Sequence, residues 1–194
     1  MKLSKMFVTG CDSKTRWMVP WFLDNYHKHN PEVKIKVVDF QDGMGWLEKP
    51  AAMRRAALEA DKVCWIDTDC EVLGDISGIF DYTVPGKLTM AEDKPWTTRR
   101  GGVWHNSGIV AFEGAPGILI EWEIICATQG GVGDQEVLHE MIPNPIKRLQ
   151  LIENLPNKYN VLRLQHDDKT VPPNPLIYHW TGPKGKTHIR KLMK

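Results

Sequence analysis

Two aspartates separated by one residue, Asp67 and Asp69, directly follow the short apolar run at 62–66. Alternate residues of an extended strand point to the same side and lie about 6.6 Å apart, so both carboxylates can face one point at the end of the strand. Two carboxylates in such a position raise each other's pKa unless a cation reaches them. Oxygen ligands of this kind suit Mg²⁺ or Mn²⁺, which keep some of their waters and bind substrate phosphates. The pair therefore predicts a divalent cation together with a phosphate-bearing ligand.

An aspartate pair of this spacing also occurs in proteins without such a site. Aspartates at a strand end can simply cap the backbone of a turn. An EF-hand calcium loop is excluded, because it requires glycine at its sixth position, where this chain has Val72. A phosphatase of the haloacid dehalogenase type stays an alternative, with Asp167 and Asp168 as its second acidic pair. Against it, that family usually has Thr or Val where Glu71 stands, and its aspartate pair follows the first strand.

Alternating strands and helices must position the aspartates. Apolar runs and helical spacings provide the assignment. We predict strands at 5–9, 33–40, 62–66, 87–91, 107–112 and 176–180. We predict helices at 16–30, from Pro50 onward, at 115–128 and at 133–141. The β-α-β-α-β order of the first half predicts an α/β fold with a mostly parallel central sheet, helices on both faces and ligands beyond the carboxyl ends of the strands.

The composition of the 194-residue chain is that of one globular domain. Its 25 Lys and Arg against 24 Asp and Glu give a formal charge of +1, which argues against a protein that mainly binds nucleic acid. No apolar run reaches the roughly 18–20 residues of a membrane span. The four cysteines form no C-x-x-C pair, so neither a zinc knuckle nor a thioredoxin-like redox site is indicated. We expect a cytoplasmic protein with reduced thiols.

Several short motifs occur in a fixed order along the chain. They are Asp67-Thr68-Asp69, Asn106-Ser107-Gly108, Asp134-Gln135 and His179-Trp180-Thr181-Gly182, with Lys49-Pro50 and an alanine-rich helix ahead of them. This series resembles the GT-A glycosyltransferases, and among them family 8, the glycogenin and lipopolysaccharide galactosyltransferase type. The resemblance covers nearly the whole chain. It implies a GT-A-like, Rossmann-related fold in one compact domain, with 1–75 as the nucleotide-binding half and 76–194 as the half for donor sugar and acceptor.

The resemblance also implies an activity: metal-dependent transfer of a hexose from a nucleoside-diphosphate sugar, a UDP-sugar, with retention of anomeric configuration. Mn²⁺ or Mg²⁺ would be bound by Asp67, Asp69 and His179. Asp134 and Gln135 would lie near the transferred sugar as the catalytic residues, although Asp134 could instead serve as a helix N-cap. The acceptor is left open between a carbohydrate, a lipid-linked group and a protein. A nucleotidyltransferase and a non-catalytic module that binds nucleotide sugars remain alternatives.

The expected donor-binding residues come from several motifs. They are Thr9, Gly10, Cys11, Asp39, Lys49, Arg54, Asp67, Thr68, Asn106, Ser107, Gly182, Lys184 and Lys186. The first strand ends at 9–11, where Gly10 would permit close approach of the nucleoside. Family members often have lysine where this chain has Gly185, so Lys184 or Lys186 would contact the diphosphate.

Two further segments stand out by their composition. Six Lys or Arg residues and no acidic residue follow Asp168, so the basic C-terminal tail could also contact an anionic membrane surface. The glycine-rich stretch 130–133 is predicted to be a flexible loop. It lacks the spacing of a phosphate-binding loop.

Overall fold

The computed structural model describes residues 2–128 and 133–194, and within them the chain forms nine strands and eight α-helices. The strands are β1 (Leu3–Cys11), β2 (Ile35–Asp39), β3 (Ala60–Ile66), β4 (Cys70–Val72), β5 (Leu88–Glu92), β6 (His105–Glu113), β7 (Ile152–Asn154), β8 (Val161–Leu162) and β9 (Ile177–His179). The helices are α1 (Val19–His29), α2 (Lys49–Ala56), α3 (Lys94–Arg100), α4 (Gly117–Thr128), α5 (Asp134–Met141), α6 (Pro145–Leu151), α7 (Arg163–Asp167) and α8 (Gly182–Leu192). Short 3₁₀ helices cover Arg16–Met18, Gly45–Glu48, Ser77–Tyr82 and Asn157–Tyr159.

Six strands form the central sheet in the order β2-β1-β3-β6-β5-β7. The pairs β1–β2, β1–β3 and β5–β7 are parallel, whereas β6 runs antiparallel to both of its neighbours. The reversed direction of β6 has a consequence for function. Its amino end, at His105, lies beside the carboxyl ends of β3 and β5, where α/β sheets bind ligands. The predicted mostly parallel α/β sheet is confirmed.

Apolar side chains fill both faces of the central sheet. Along β1, Met6 and Val8 pack into a core with α2, α4 and α5, whereas Phe7 packs into a second core with α1 and α8. Successive residues of a strand point to opposite faces, so a strand covered on both sides must be apolar throughout. This is why β1 and β3 appear in the sequence as continuous hydrophobic runs.

A small second sheet joins the C-terminal segment to the strand end that bears the aspartates. Its order is β4-β9-β8, with Cys70 opposite His179 in the antiparallel β4–β9 pair and Leu162 beside His179 in the parallel β8–β9 pair. The backbone N–H of Trp180 also donates to the carbonyl of Asp69 at 2.9 Å. Pairing between short strands therefore brings the end of the chain to residues 67–70.

All six predicted strands and all four predicted helices are present, with ends shifted by up to three residues. The first helix begins at Val19 because Arg16–Met18 forms a 3₁₀ turn and Pro20 occupies the first α-helical turn. The sequence did not predict β4, β7, β8, α3, α6, α7 or α8, most of which are short. Residues 130–132 of the predicted glycine-rich loop lie outside the described residues. Among those described, no helix is long and apolar enough to cross a membrane.

Candidate functional site

Asp67 lies where the end of β3 meets the start of β6. Its backbone N–H donates to the carbonyl of Gly108 at 2.8 Å, which extends the β3–β6 pairing by one residue. Its Oδ1 accepts from Trp65 Nε1 at 2.6 Å and lies 3.1 Å from Lys49 Nζ. Burial raises the pKa of Asp67, an effect that the Lys49 ammonium opposes. With Oδ1 occupied, Oδ2 is the oxygen that faces His179.

Lys49 is a buried cation between two carboxylates. Its side chain is 1% exposed, and its Nζ lies 3.1 Å from both Asp67 Oδ1 and Asp134 Oδ2. The ammonium donates to the Ser107 carbonyl at 3.1 Å, whereas the contact with Asp134 lacks hydrogen-bond geometry. Burial lowers the pKa of Lys49, but the Asp134 and Asp67 carboxylates outweigh it and hold the pKa above its usual value. Lys49 is therefore charged and joins α2 to β3 and α5.

His179 comes from the opposite end of the chain to meet the aspartates. Its Nε2 lies 3.1 Å from Asp69 Oδ1 and 3.7 Å from Asp67 Oδ2, and its side chain is 4% exposed. Burial lowers the pKa of His179, but Asp69 and Asp67 outweigh it and raise the pKa. The imidazole can approach β6 this closely only because residue 108 is glycine, since a Cβ on Gly108 would lie 2.1 Å from His179 Cε1. The glycine of the Asn-Ser-Gly motif thus makes room for the imidazole.

An amide network forms the adjacent wall. Asn106 Nδ2 donates to Asp93 Oδ2 at 3.2 Å and to Gln135 Oε1 at 3.0 Å. Gln135 Oε1 also accepts from the backbone N–H of Ser107 at 3.1 Å, and its Nε2 donates to Asp93 Oδ2 at 3.3 Å. Asp134 is the first residue of α5 and Gly133 is the N-cap, so the alternative of Asp134 as an N-cap does not apply. The network holds α5 against the start of β6.

These groups line an open cavity of about 380 Å³. Ten of the residues predicted to form the site lie on its wall: Lys49, Asp67, Asp69, Asn106, Ser107, Asp134, Gln135, His179, Gly182 and Lys186. Between the two lysines that the sequence left open, Lys186 Nζ lies 3.7 Å from Asp69 Oδ2. Lys184 lines a separate cavity with Arg163 and His188.

Residues at the end of β1 lie outside the cavity. Thr9 is fully buried and Cys11 is 1% exposed, with its Sγ 3.6 Å from Asp39 Oδ1. A Cβ on Gly10 would lie 2.5 Å from the Phe40 ring and 2.8 Å from the Trp65 ring. Gly10 therefore allows these aromatic rings to pack against β1, rather than leaving space for a nucleoside as the sequence suggested.

Other predicted residues have partners elsewhere. Arg54 forms an ion pair with Glu123 of α4, and its second contact with that carboxylate is 3.0 Å long. Asp39 lies 3.0 Å from Arg16 Nη2 on the surface. Thr68 is buried and does not line the cavity. None of these side chains reaches the cavity wall in the described part of the chain.

The phosphatase alternative loses its second acidic pair. Asp167 forms an ion pair with Arg163 within α7 and lines the same separate cavity as Lys184. Asp168 is an exposed residue at the end of that helix. Neither carboxylate lines the cavity of Asp67 and Asp69.

The described residues contain a cluster able to hold a metal ion, in which ligand atoms of Asp69, Cys70 and His179 lie within 4.8 Å of one another. Cys70 is a poor ligand for a hard cation, since burial raises the pKa of its thiol well above the ordinary value and keeps it protonated. Cys70 also does not line the cavity, whereas Asp67 does. Of the groups next to His179 Nε2, the oxygen donors on the cavity wall are therefore those of Asp67 and Asp69.

Residues near the site that were not predicted include Asp93, Asn160 and Trp46. Asp93 caps α3 through Oδ1, which accepts from Trp96 N at 3.1 Å, while Oδ2 binds the amide network. Asn160 contacts His179, and Trp46 lies on the cavity wall and is 41% exposed. Asp93 follows a predicted strand, so the strand-end rule used for Asp67 could have found it. Asn160 and Trp46 carry no such sequence signal.

The chain is similar to known proteins in its structure but not detectably in its sequence. No protein-family model and no curated protein sequence matches the chain. Among solved structures, the glycosyltransferase GlyE of Streptococcus pneumoniae TIGR4 matches 93% of the chain with a TM-score of 0.66 and 17% identity. The chain spans only 55% of that protein, about half its length.

Two further solved structures match over most of their own length. A glycosyltransferase involved in glycosylation of the major capsid of PBCV-1 has a TM-score of 0.67 and 12% identity, covering 96% of this chain and 99% of that one. The galactosyltransferase LgtC, solved with donor and acceptor sugar analogues, has a TM-score of 0.62 and 12% identity, with coverages of 91% and 87%. At these identities the likeness establishes the fold, and the chain therefore has the GT-A fold that its motifs predicted.

Proposed function

We propose that the protein is a metal-dependent glycosyltransferase that moves a hexose from a nucleoside-diphosphate sugar, a UDP-sugar, to an acceptor hydroxyl with retention. One observation carries the proposal: His179, 110 residues beyond Asp69 in the chain, lies with Nε2 3.1 Å from Asp69 Oδ1 at a cavity within a GT-A fold. A buried histidine with only a structural role would not need two cavity-lining carboxylates on its Nε2 side.

The donor set fits Mn²⁺ or Mg²⁺. Two ligand atoms about 2.1 Å from one cation and at right angles to each other are about 3.0 Å apart. The observed separations of His179 Nε2 from Asp69 Oδ1 and Asp67 Oδ2, 3.1 and 3.7 Å, are close to that value. Asp67, Asp69 and His179 would hold the cation, which when bound would neutralise the charge of the diphosphate leaving group.

The cavity walls suggest an orientation for the donor. Trp46 and Lys186 line both the 380 Å³ cavity and a neighbouring one of about 430 Å³. In the proposed arrangement the nucleoside occupies the neighbouring cavity, and the diphosphate lies between the aspartates and Lys186. The Lys186 ammonium donates a charge-assisted hydrogen bond to the diphosphate. The sugar then faces Asp134 and Gln135.

Asp134 and Gln135 orient the sugar in this proposal. Gln135 is held at both ends of its amide, and the Asp134 carboxylate forms an ion pair with Lys49. In a retaining transfer on one face of the sugar, the bond from the anomeric carbon to the phosphate oxygen breaks as the acceptor oxygen forms its bond. The departing phosphate oxygen takes the proton of the acceptor hydroxyl, so no separate protein base is required.

Thermal melting with UDP-sugars, with and without Mn²⁺, tests the proposal. A ligand at 100 times its dissociation constant stabilises the native state by about 2.7 kcal/mol, which corresponds to a melting-temperature rise of about 5–10 °C for a chain of this length. We expect this rise with Mn²⁺ present and its loss in Asp69→Asn. Lys186→Ala should weaken UDP binding, whereas the matched control Lys184→Ala should not.

Several outcomes would contradict the proposal. Absence of any shift with every nucleoside diphosphate tested excludes a donor site. A shift without UDP release from the UDP-sugar, with water or a panel of sugars as acceptor, would indicate a non-catalytic binding module. A larger shift with UTP than with any UDP-sugar would favour a nucleotidyltransferase.

A further inference from the structure

The backbone fixes the orientation of the Asn106 amide. Its Oδ1 accepts from the N–H of Gly108 at 3.0 Å, and its Nδ2 donates to the Asp93 carboxylate at 3.2 Å. A backbone N–H can only donate and a carboxylate oxygen accepts, so the oxygen and nitrogen of this amide cannot exchange places.

Asn160 is oriented in turn by Asn106. It is fully buried, between the 3₁₀ turn Asn157–Tyr159 and β8. Its Nδ2 donates to Asn106 Oδ1 at 2.9 Å, which directs its own Oδ1 at His179 Nδ1, 3.2 Å away. The pairing of Leu162 with His179 in the second sheet holds the two segments together.

His179 Nδ1 therefore faces two amide oxygens, Oδ1 of Asn106 at 3.1 Å and Oδ1 of Asn160 at 3.2 Å. Amide oxygens only accept, so Nδ1 must carry a proton. An amide oxygen has two lone pairs, and that of Asn106 already accepts from Gly108 and from Asn160. The oxygen with a lone pair available for the imidazole N–H is that of Asn160.

We propose that Asn160 is a positioning residue, whose amide oxygen holds the proton on Nδ1 of His179 and so keeps Nε2 as the nitrogen that binds the cation. The inference rests on the proposed function, because it concerns the same divalent ion. In a neutral imidazole one nitrogen carries the proton and the other is free to bind a metal. Hydrogen bonds to the outer nitrogen of a ligating histidine typically change metal affinity 10–100-fold.

Two nearly isosteric variants of the full chain test the inference. Their Mn²⁺ affinities are measured at one pH by titration with detection by electron paramagnetic resonance. Asn160→Asp keeps an oxygen facing Nδ1, and Asn160→Leu removes it, while both lose the donor to Asn106. We expect the leucine variant to bind Mn²⁺ about 10–100-fold more weakly than the wild type. The aspartate variant should keep an affinity close to the wild type, which a purely structural role would not produce.

Asn30→Ala is the matched control. Asn30 is also a buried asparagine, with contacts to Ile76 N at 2.9 Å and Gly74 O at 3.2 Å, and it does not line the cavity. We expect this variant to lose stability without losing Mn²⁺ affinity. Equal weakening in Asn30→Ala and Asn160→Leu would show a general loss of packing and overturn the inference.

A second measurement needs no variant. Long-range ¹H–¹⁵N spectra of the wild type loaded with diamagnetic Zn²⁺ should show the His179 proton on Nδ1, and a proton on Nε2 would overturn the inference even if Asn160→Leu fails to fold. Equal Mn²⁺ affinity of the leucine and aspartate variants would also overturn the inference. The proposed function would still stand in that case if the wild type binds Mn²⁺ and His179→Ala does not. A wild type that binds no Mn²⁺, with or without UDP, would overturn the proposed function itself.

Discussion

Replacing Gly108 with alanine tests whether the close approach of β6 positions the His179 imidazole. The added Cβ would lie 2.1 Å from His179 Cε1 and 2.5 Å from Nδ1. Carbon atoms pack at about 3.5–4.0 Å, so the ring must move by about 1.4 Å. Ligand distances in metal sites tolerate about 0.2 Å. We therefore expect Gly108→Ala to lose Mn²⁺ affinity as fully as His179→Ala does.

The same overlap should lower stability. Inserting a methyl group into a packed interior costs about 1–3 kcal/mol, which predicts a fall in melting temperature of about 2–12 °C. Calorimetric Mn²⁺ titration and a thermal melt measure the two effects on one sample. Gly117→Ala is the control, because a Cβ on Gly117 meets nothing within 4 Å and the residue begins α4. A Gly108→Ala variant that binds Mn²⁺ with wild-type affinity would refute the steric argument.

Three other predictions concern charges. Lys49→Met leaves two buried carboxylates without their cation, so unfolding in urea should show a loss of about 3–5 kcal/mol at pH 7. That loss should shrink at pH 5, because burial raises the pKa of Asp67 and lets its carboxyl bind a proton, and an equal loss at both pH values would contradict the charge pairing. Burial lowers the pKa of His105 and of His139 to about 4. An unfolded histidine titrates near 6.5, so the unfolded state binds more protons than the folded state as the pH falls. The free energy of unfolding should therefore fall by about 2 kcal/mol per histidine from pH 7.5 to 5. The urea midpoint of His139→Gln should decline less over this pH range than that of the wild type. Arg54→Ala removes a surface ion pair, so it should cost at most about 1 kcal/mol and leave UDP affinity unchanged in the same binding assay.

The main elements could be predicted because their signals are local. Residues 63–66 of β3 are buried and apolar on both faces, so the aspartates that follow them stand out in the sequence. Helix α5 begins at Asp134, one residue after its predicted start. In contrast, β4 and β8 contain three and two residues, too few for any period to be recognised.

The position of a side chain depended on which segments pair. Lys184 and Lys186 were equivalent in the sequence, but the turn of α8 places only Lys186 beside Asp69. Arg54 was expected at the donor because its helix precedes the strand that ends at the aspartate pair. It lies instead on the face of α2 that meets α4, where Glu123 supplies an opposite charge.

The amino-acid sequence by itself determined the α/β order of elements, the carboxylate pair at the end of a buried strand and the types of residue able to bind a cation and a diphosphate. Only the tertiary structure decided that His179 meets Asp69, that Gly10 accommodates aromatic rings and that Asn160 contacts the imidazole. The physical reason is that strand direction and apolar spacing are encoded within a few neighbouring residues. Contacts between residues 69, 160 and 179 arise from hydrogen bonds between strands that are distant in the chain.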